Sequence, residues 1–297
     1  MKYIEEHPMI MIVIGVIGIS LSAIFVKFSQ APSAVTAAFR LLWTVILMTP
    51  VVFGTKEVRE ELLHIDKQTF FLSAFSGLFL AIHFVLWFES LVHTTVASST
   101  TIVCTEVIWV SLGFCLFLKG KLSKKAILAI TITLLGSVLI AYSDSFSGGS
   151  HFYGDMLSLL AAIAVAAYTL LGRIVRKKAS TSVYTYIVYS VCAAVLIVLC
   201  MIQKHNLFDS DYGISAVIVG LLLAIFSTIL GHSIFSWCLK YFSPSFVSAS
   251  KLCEPVVAAI FAIFLFQEIP SVWQVIGGIL ILGGVLYYSK IENAENN

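Results

Sequence analysis

Four ionisable side chains, Arg40, Glu106, Lys251 and Glu254, lie inside long apolar runs of this 297-residue sequence. A charge near the middle of a membrane-length segment costs on the order of 3 kcal/mol even on the gentler insertion scales, so it implies a partner, a watery cavity or a task. Their formal charges cancel. Arg40 and Lys251 could take an acidic group, the first as a bidentate fork and the second as a point charge. Glu106 and Glu254 could bind an amine or carry a proton. Lys251 and Glu254 are three apart, the spacing of an i,i+3 pair on one helix. Pro255 cannot donate a hydrogen bond to the Lys251 carbonyl, which leaves that oxygen free for a ligand. Such a set suits a zwitterion, an amino acid above all. The bland alternative is that the four form a buried ion-pair network that holds helices together.

Other candidates surround these charges. His83 and Trp87 are one helical turn apart on one face. His232 falls at nearly the equivalent place in the second half of the chain, and either histidine could titrate near neutral pH. Tyr168 could line a cavity with them. Each has a plainer reading as a packed core residue. No catalytic residue, cofactor or metal site is indicated: all six cysteines sit inside apolar runs without CxxC spacing, and neither HExxH nor GxSxG occurs. A membrane-embedded metal hydrolase built on His83, His232, Glu106 and Glu254 is therefore a minor alternative, and a sensor weaker still, since no soluble signalling domain is present.

The elements that must position these groups are apolar helices. With 59% apolar and 11% charged residues, against about 25% charged in soluble domains, the chain reads as a polytopic membrane protein, and nothing suggests a nucleic-acid partner. Ten apolar segments can be read, at 9–28, 33–53, 68–90, 95–118, 126–143, 153–172, 183–202, 213–239, 244–266 and 272–289. Counting lysines and arginines between them places nearly all on the side of the termini and only Lys27 and Lys204 on the other, so both termini are expected to be cytoplasmic. The first run lacks a small-residue cleavage site and reads as a retained helix.

The segment 143–150 is short, rich in Ser and Gly, and lies mid-chain. It divides the chain into residues 1–146 and 147–297, five segments each. A shift of 148 residues places Glu106 on Glu254, Leu91 on Leu239, Ser123 on Ser271 and Gly136 on Gly284. An odd number of spans per half inverts the second copy in the membrane. The expected fold is thus all-α, ten transmembrane helices in two inverted five-helix repeats, the arrangement in which secondary transporters hold a site near the midplane.

Three stretches carry a family likeness: Gly154-Asp155-Met156-Leu157 running to Ala166-Ala167-Tyr168; Gly231-His232-Ser233 running through Trp237 to Val247-Ser248, Glu254-Pro255 and Phe266-Gln267-Glu268; and Gly277-Gly278 with Gly283-Gly284. On these the chain resembles the EamA-type branch of the drug/metabolite transporter superfamily over nearly its whole length. The resemblance implies a ten-helix carrier of small organic metabolites, with proton coupling in some members. The first half departs from the pattern, with Val107 where the family often has proline and Lys119-Gly120 where it has an acidic residue.

The expected function is therefore a secondary transporter of the cell membrane, moving amino acids or related zwitterions by alternating access, as an exporter. Its partners are a small-molecule substrate, the lipid bilayer and a coupling proton. A broad-specificity drug or cation carrier is the alternative.

Overall fold

A computed structural model of the chain describes residues 8–94, 96–144, 152–212, 214–254, 256–257, 260–261 and 271–296. Helices dominate, because a bilayer offers no water to unpaired backbone groups and a helix satisfies them within one segment. In chain order they are α1 (Pro8–Ser20), α2 (Ser22–Lys27), α3 (Ser33–Gly54), α4 (Lys56–Leu63), α5 (Lys67–His93), α6 (Val96–Cys104), α7 (Glu106–Phe117), α8 (Lys124–Asp144), α9 (Phe152–Val175) and α10 (Thr181–Ile202). Then come α11 (Ser215–Leu222), a π-helical segment (Leu223–Ser233), α12 (Ile234–Cys238), α13 (Pro244–Lys251) and α14 (Val272–Asn296).

Eight helices among the described residues are long and apolar enough to cross a membrane, several of them assembled from two or three of these pieces. The fifth expected segment is present as α8. The ninth, 244–266, is described only in part: α13 covers its start, while Pro255 and residues 262–266 lie outside the described residues. Most of the mid-chain linker, from residue 145 on, lies outside them too. The polar connector at 54–67 forms the short surface helix α4.

Small polar residues are buried throughout these helices at little cost because their hydroxyls bond back to carbonyls one turn earlier, as Ser20 does to Val16 (2.7 Å), Thr44 to Arg40 (2.8 Å) and Thr133 to Ala129 (2.8 Å). Side-chain caps begin α5, α10 and α13, where Asp66, Ser180 and Ser243 accept from the amides of Thr69, Val183 and Phe246. Two arginines at the end of α9 and just after it hold a neighbouring helix end. Arg173 donates to the carbonyls of Leu239 and Phe242, and Arg176 to that of Ser236, satisfying oxygens left over where α12 ends. The Gly154-Asp155 stretch is a joint of the same kind. A Cβ on Gly154 would stand 2.8 Å from the His93 and Thr94 backbone, and Asp155 accepts from the Thr94 hydroxyl at 2.8 Å.

Two apolar clusters form the core. One draws on α3, α5, α9, α10 and α11, with Phe84, Trp87, Val165 and Leu223 among its members; the other draws on α1, α6, α7, α8, α12, α13 and α14, with Ile19, Cys104, Val107, Leu252 and Cys253. Neither cluster belongs to one half of the sequence. Between them the packing is interrupted by polar side chains.

Candidate functional site

Two helix breaks create the site. Between α6 and α7 the Thr105 amide reaches back only three residues, to the Ile102 carbonyl (3.0 Å), and the Ile108 amide does the same to Thr105 (2.9 Å). The Thr105 hydroxyl competes for the Ile102 carbonyl at 2.6 Å. At the end of α13 the amides of Leu252 and Cys253 bond to Ala249 and Ser250, again three back, at 3.1 and 3.2 Å. Such 3₁₀ tightening inside a membrane-length segment marks a hinge or a strained point. Thr105 and Cys253 differ by 148 residues, the same shift that relates Glu106 to Glu254.

The breaks convert the middle of two spans into helix ends. Glu106 stands in the first turn of α7 and Lys251 in the last turn of α13. A carboxylate at a helix N-terminus and an ammonium at a C-terminus are each favoured by about 0.3–1 kcal/mol, more when partly buried. The two meet: Lys251 Nζ lies 2.8 Å from Glu106 Oε1, with both residues at most 5% exposed. The ammonium also lies 5.5 Å from the centre of the Phe235 ring.

This pairing corrects the expectation that Lys251 pairs with Glu254. The i,i+3 argument assumes an unbroken helix, and α13 ends at Lys251. Among the described residues no ion pair joins Lys251 to Glu254, and the four-membered network is not formed either. Glu254 is buried, and its Oε1 has no hydrogen-bond partner.

A cavity of about 30 Å³ opens at this point, lined among the described residues by Ile19, His83, Trp87, Val103, Cys104, Glu106, Val165, His232, Lys251 and Glu254. It lies between the two core clusters and draws lining residues from both. Six of the eight expected site residues are thereby brought together. His83 Nδ1 donates to the Ala161 carbonyl at 3.0 Å, which fixes a proton on that nitrogen and turns Nε2 the other way. Its ring stacks on Trp87 with a centroid separation of 6.0 Å and meets His232 edge-on at 6.4 Å. Trp87 Nε1 and His232 Nδ1 are buried without partners, like Glu254 Oε1. Three lining side chains thus hold unused hydrogen-bonding capacity, which buried polar groups rarely do without a reason.

Arg40 and Tyr168 do not line the cavity. Arg40 is fully buried one layer behind it: Nε donates to Thr228 Oγ1 (2.7 Å), Nη1 to Ser22 Oγ (3.3 Å), and the guanidinium lies 4.2 Å over the Phe84 ring. Phe84 in turn meets His232 edge-on at 5.3 Å. Arg40 Nη2 has no partner. Tyr168 presents its ring to His232 at 6.0 Å, while its hydroxyl pairs with Ser236 Oγ at 2.8 Å.

Thr228, Ser22 and Phe84 had not been singled out from the sequence. Thr228 and His232 both lie in the π-helical segment, where Thr228 and Ser233 bond five residues back, to Leu223 and Thr228 (3.2 Å each). That pitch turns side chains away from the faces a 3.6-residue period assigns, so no periodicity argument could place them. Phe84 carried a weak signal as the neighbour of His83.

The comparisons with known proteins agree with this architecture. The family described as EamA-like transporter matches residues 8–142 and, a second time, 152–290. The chain belongs to the EamA-like transporter family. Among EamA-like relatives, the uncharacterized transporter YyaM of Bacillus subtilis is 24% identical over 268 residues, covering 88% of this chain and 85% of its own. The pseudopaline exporter CntI of Pseudomonas aeruginosa is 23% identical over 219 residues, 73% of this chain and 74% of its own. A solved crystal structure, 14% identical, shares the fold with a TM-score of 0.75 over 98% of this chain and 99% of that one. Family and apolar helices together make this EamA-like chain a multi-pass membrane transporter.

Proposed function

We propose that this transporter is a secondary carrier that exports amino acids or related zwitterions across the cytoplasmic membrane, by alternating access between two inverted five-helix halves with cytoplasmic termini. The observation that carries this reading is the buried Glu254 Oε1, which has no hydrogen-bond partner, beside the Lys251–Glu106 pair at two helix breaks. In the occluded arrangement Lys251 holds Glu106. A substrate carboxylate competes with Glu106 for the ammonium, and the substrate amine takes Glu254. In the absence of substrate a proton on Glu254 neutralises it for the return step. His83, Trp87 and His232 form the wall of the site, with Tyr168 behind His232, and Arg40 is a positioning residue that holds the π-helical segment through Thr228. Export is supported by the relative named an exporter of pseudopaline.

A cavity of about 30 Å³ has room for a water or two, far below the 300–1,000 Å³ of ordinary ligand pockets, so the cycle requires it to widen. One observation favours the broader cation carrier as a second reading: among the described residues the lining carboxyl outside an ion pair is Glu254, while the lining ammonium, Lys251, is engaged by Glu106.

Proteoliposomes loaded with individual labelled amino acids, nucleosides or organic cations test both. Efflux of a zwitterion driven by a pH gradient, lost in Glu254→Gln and in Lys251→Gln, is the expected result. Cation efflux that survives Lys251→Gln would establish the second reading, and undiminished zwitterion efflux in both variants would remove the site.

A further inference from the structure

A second depression lies where α8 begins and α14 ends, and shares no lining residue with the charged cavity. It is an open groove of about 570 Å³ lined by Ser123, Lys124, Lys125, Tyr287, Lys290, Ile291 and Ala294. All three lysines are exposed, and among the described residues none has an ion-pair partner and no carboxylate lines the groove. Glu292, two residues from Lys290, is turned elsewhere: it is buried and accepts from the amide and hydroxyl of Ser243. Among the described residues, three lysines without ion-pair partners therefore line one concave surface.

The position relative to the spans narrows the occupant. Lys124 opens α8, and Lys290 sits in the last turn of the apolar segment Val275–Glu292, so the groove is at the level where headgroups lie. One helical turn further into the apolar segments, directly along the same faces, are Ile127 (52% exposed), Leu128 (53%) and Leu286 (65%). Tyr287 is 37% exposed at the boundary, an amphipathic ring at an interface. A basic cup continued by bare aliphatic surface matches a negatively charged head attached to acyl chains. A free anion would use only the first half of that surface. Basic pockets between transmembrane helices on the cytoplasmic side are suited to anionic lipid heads.

We propose that the groove between the start of α8 and the end of α14 is a binding site for an anionic phospholipid, with Lys124, Lys125 and Lys290 holding the headgroup phosphate and Ile127, Leu128 and Leu286 the acyl chains. The occupied site joins α8 and α14 on the side of the membrane where the basic residues cluster.

Native mass spectrometry of the detergent-solubilised full chain, titrated with phosphatidylglycerol, tests this. At about 5-fold per lysine near a membrane surface, the variant K124Q/K125Q/K290Q binds phosphatidylglycerol about 100-fold more weakly than the parent. The variant K56Q/K177Q/K178Q, with the same loss of charge at exposed sites elsewhere, keeps the parental affinity. Phosphatidylcholine shows no such preference, and inorganic phosphate alone gives no adduct. Equal weakening in both triple variants, equal binding of the two lipids, or a phosphate adduct lost in K124Q/K125Q/K290Q would each overturn the assignment. Circular dichroism confirms that the variants compared are folded.

Discussion

Removing Lys251 separates the structural from the transporting role of its ion pair. Lys251→Met leaves the Glu106 carboxylate 3% exposed and without its partner at 2.8 Å. Breaking a buried pair from one side costs about 3–5 kcal/mol. Glu106 also stands at the N-terminus of α7, whose dipole continues to stabilise it by about 1 kcal/mol. That dipole acts in parent and variant alike and does not offset the loss, so the expected value stays at about 3–5 kcal/mol, read from denaturant unfolding in micelles. The double variant Glu106→Gln/Lys251→Met removes both charges together, and its stability should return to within about 1 kcal/mol of the parent, since replacing a whole buried pair is often neutral. The informative measurement is then efflux from proteoliposomes carrying the double variant. If the pair opens to admit substrate, this folded protein transports at less than a tenth of the parental rate. Parental efflux from it would refute the exchange reasoning and leave the pair as a strut between α7 and α13. A loss below about 1 kcal/mol in Lys251→Met would refute the pairing itself.

Other consequences are independent of substrate. Gly136→Ala places a Cβ 2.6 Å from the Gly277 carbonyl oxygen, forcing α8 and α14 apart at a cost of about 1–3 kcal/mol, whereas Gly283→Ala meets nothing within 4 Å and gains about 0.5–1 kcal/mol from helix propensity; thermal unfolding distinguishes them. Thr228→Val removes the acceptor of a buried guanidinium and should destabilise by about 1.5–3 kcal/mol in the same assay. For the ten-span topology, single cysteines in a chain otherwise free of them give the check: on intact cells an impermeant maleimide should label Asp211→Cys and spare Lys121→Cys.

Much of this was readable from the sequence for one reason, the high cost of charge in an apolar segment. Glu106 and Glu254 are conspicuous on that ground alone, and the 148-residue shift relating them also relates the breaks at Thr105 and Cys253, which no pattern of apolar residues announces. What was misjudged depended on local departures from the α-helix. The i,i+3 spacing of Lys251 and Glu254 loses its meaning once α13 ends at Lys251, and Glu106, distant in sequence, is nearer. Thr228 meets Arg40 from Leu223–Ser233, a segment wound with a wider pitch than the period assumed in reading faces from the sequence. The contacts of Arg173 and Arg176 with the carbonyls of Phe242 and Ser236 have no sequence signal, because a backbone carbonyl left without a helical partner leaves no trace in a sequence.

On the proposed reading, the charge of Arg40 bears on which ligand the site prefers, although Arg40 does not line the cavity. Glu106, Lys251 and Glu254 sum to one negative charge when ionised, which by itself would favour a cation over a zwitterion. Arg40 lies 4.2 Å from the Phe84 ring, and that ring 5.3 Å from His232 on the cavity wall, so its charge is within about 10 Å of the lining. At an effective dielectric of about 20, a unit charge at that distance contributes about 1.7 kcal/mol, or roughly 20-fold in preference between a neutral zwitterion and a monovalent cation. With Arg40 counted, the net charge is zero and a zwitterion leaves it so. Arg40→Gln should therefore shift the ratio of zwitterion to cation efflux about 20-fold toward cations, while Arg40→Lys, which keeps the charge and loses only the fork, should hold the ratio even where both rates fall. An unchanged ratio in Arg40→Gln would mean that the charge of Arg40 is screened from the cavity, and that Glu254 alone sets the preference for its ligand.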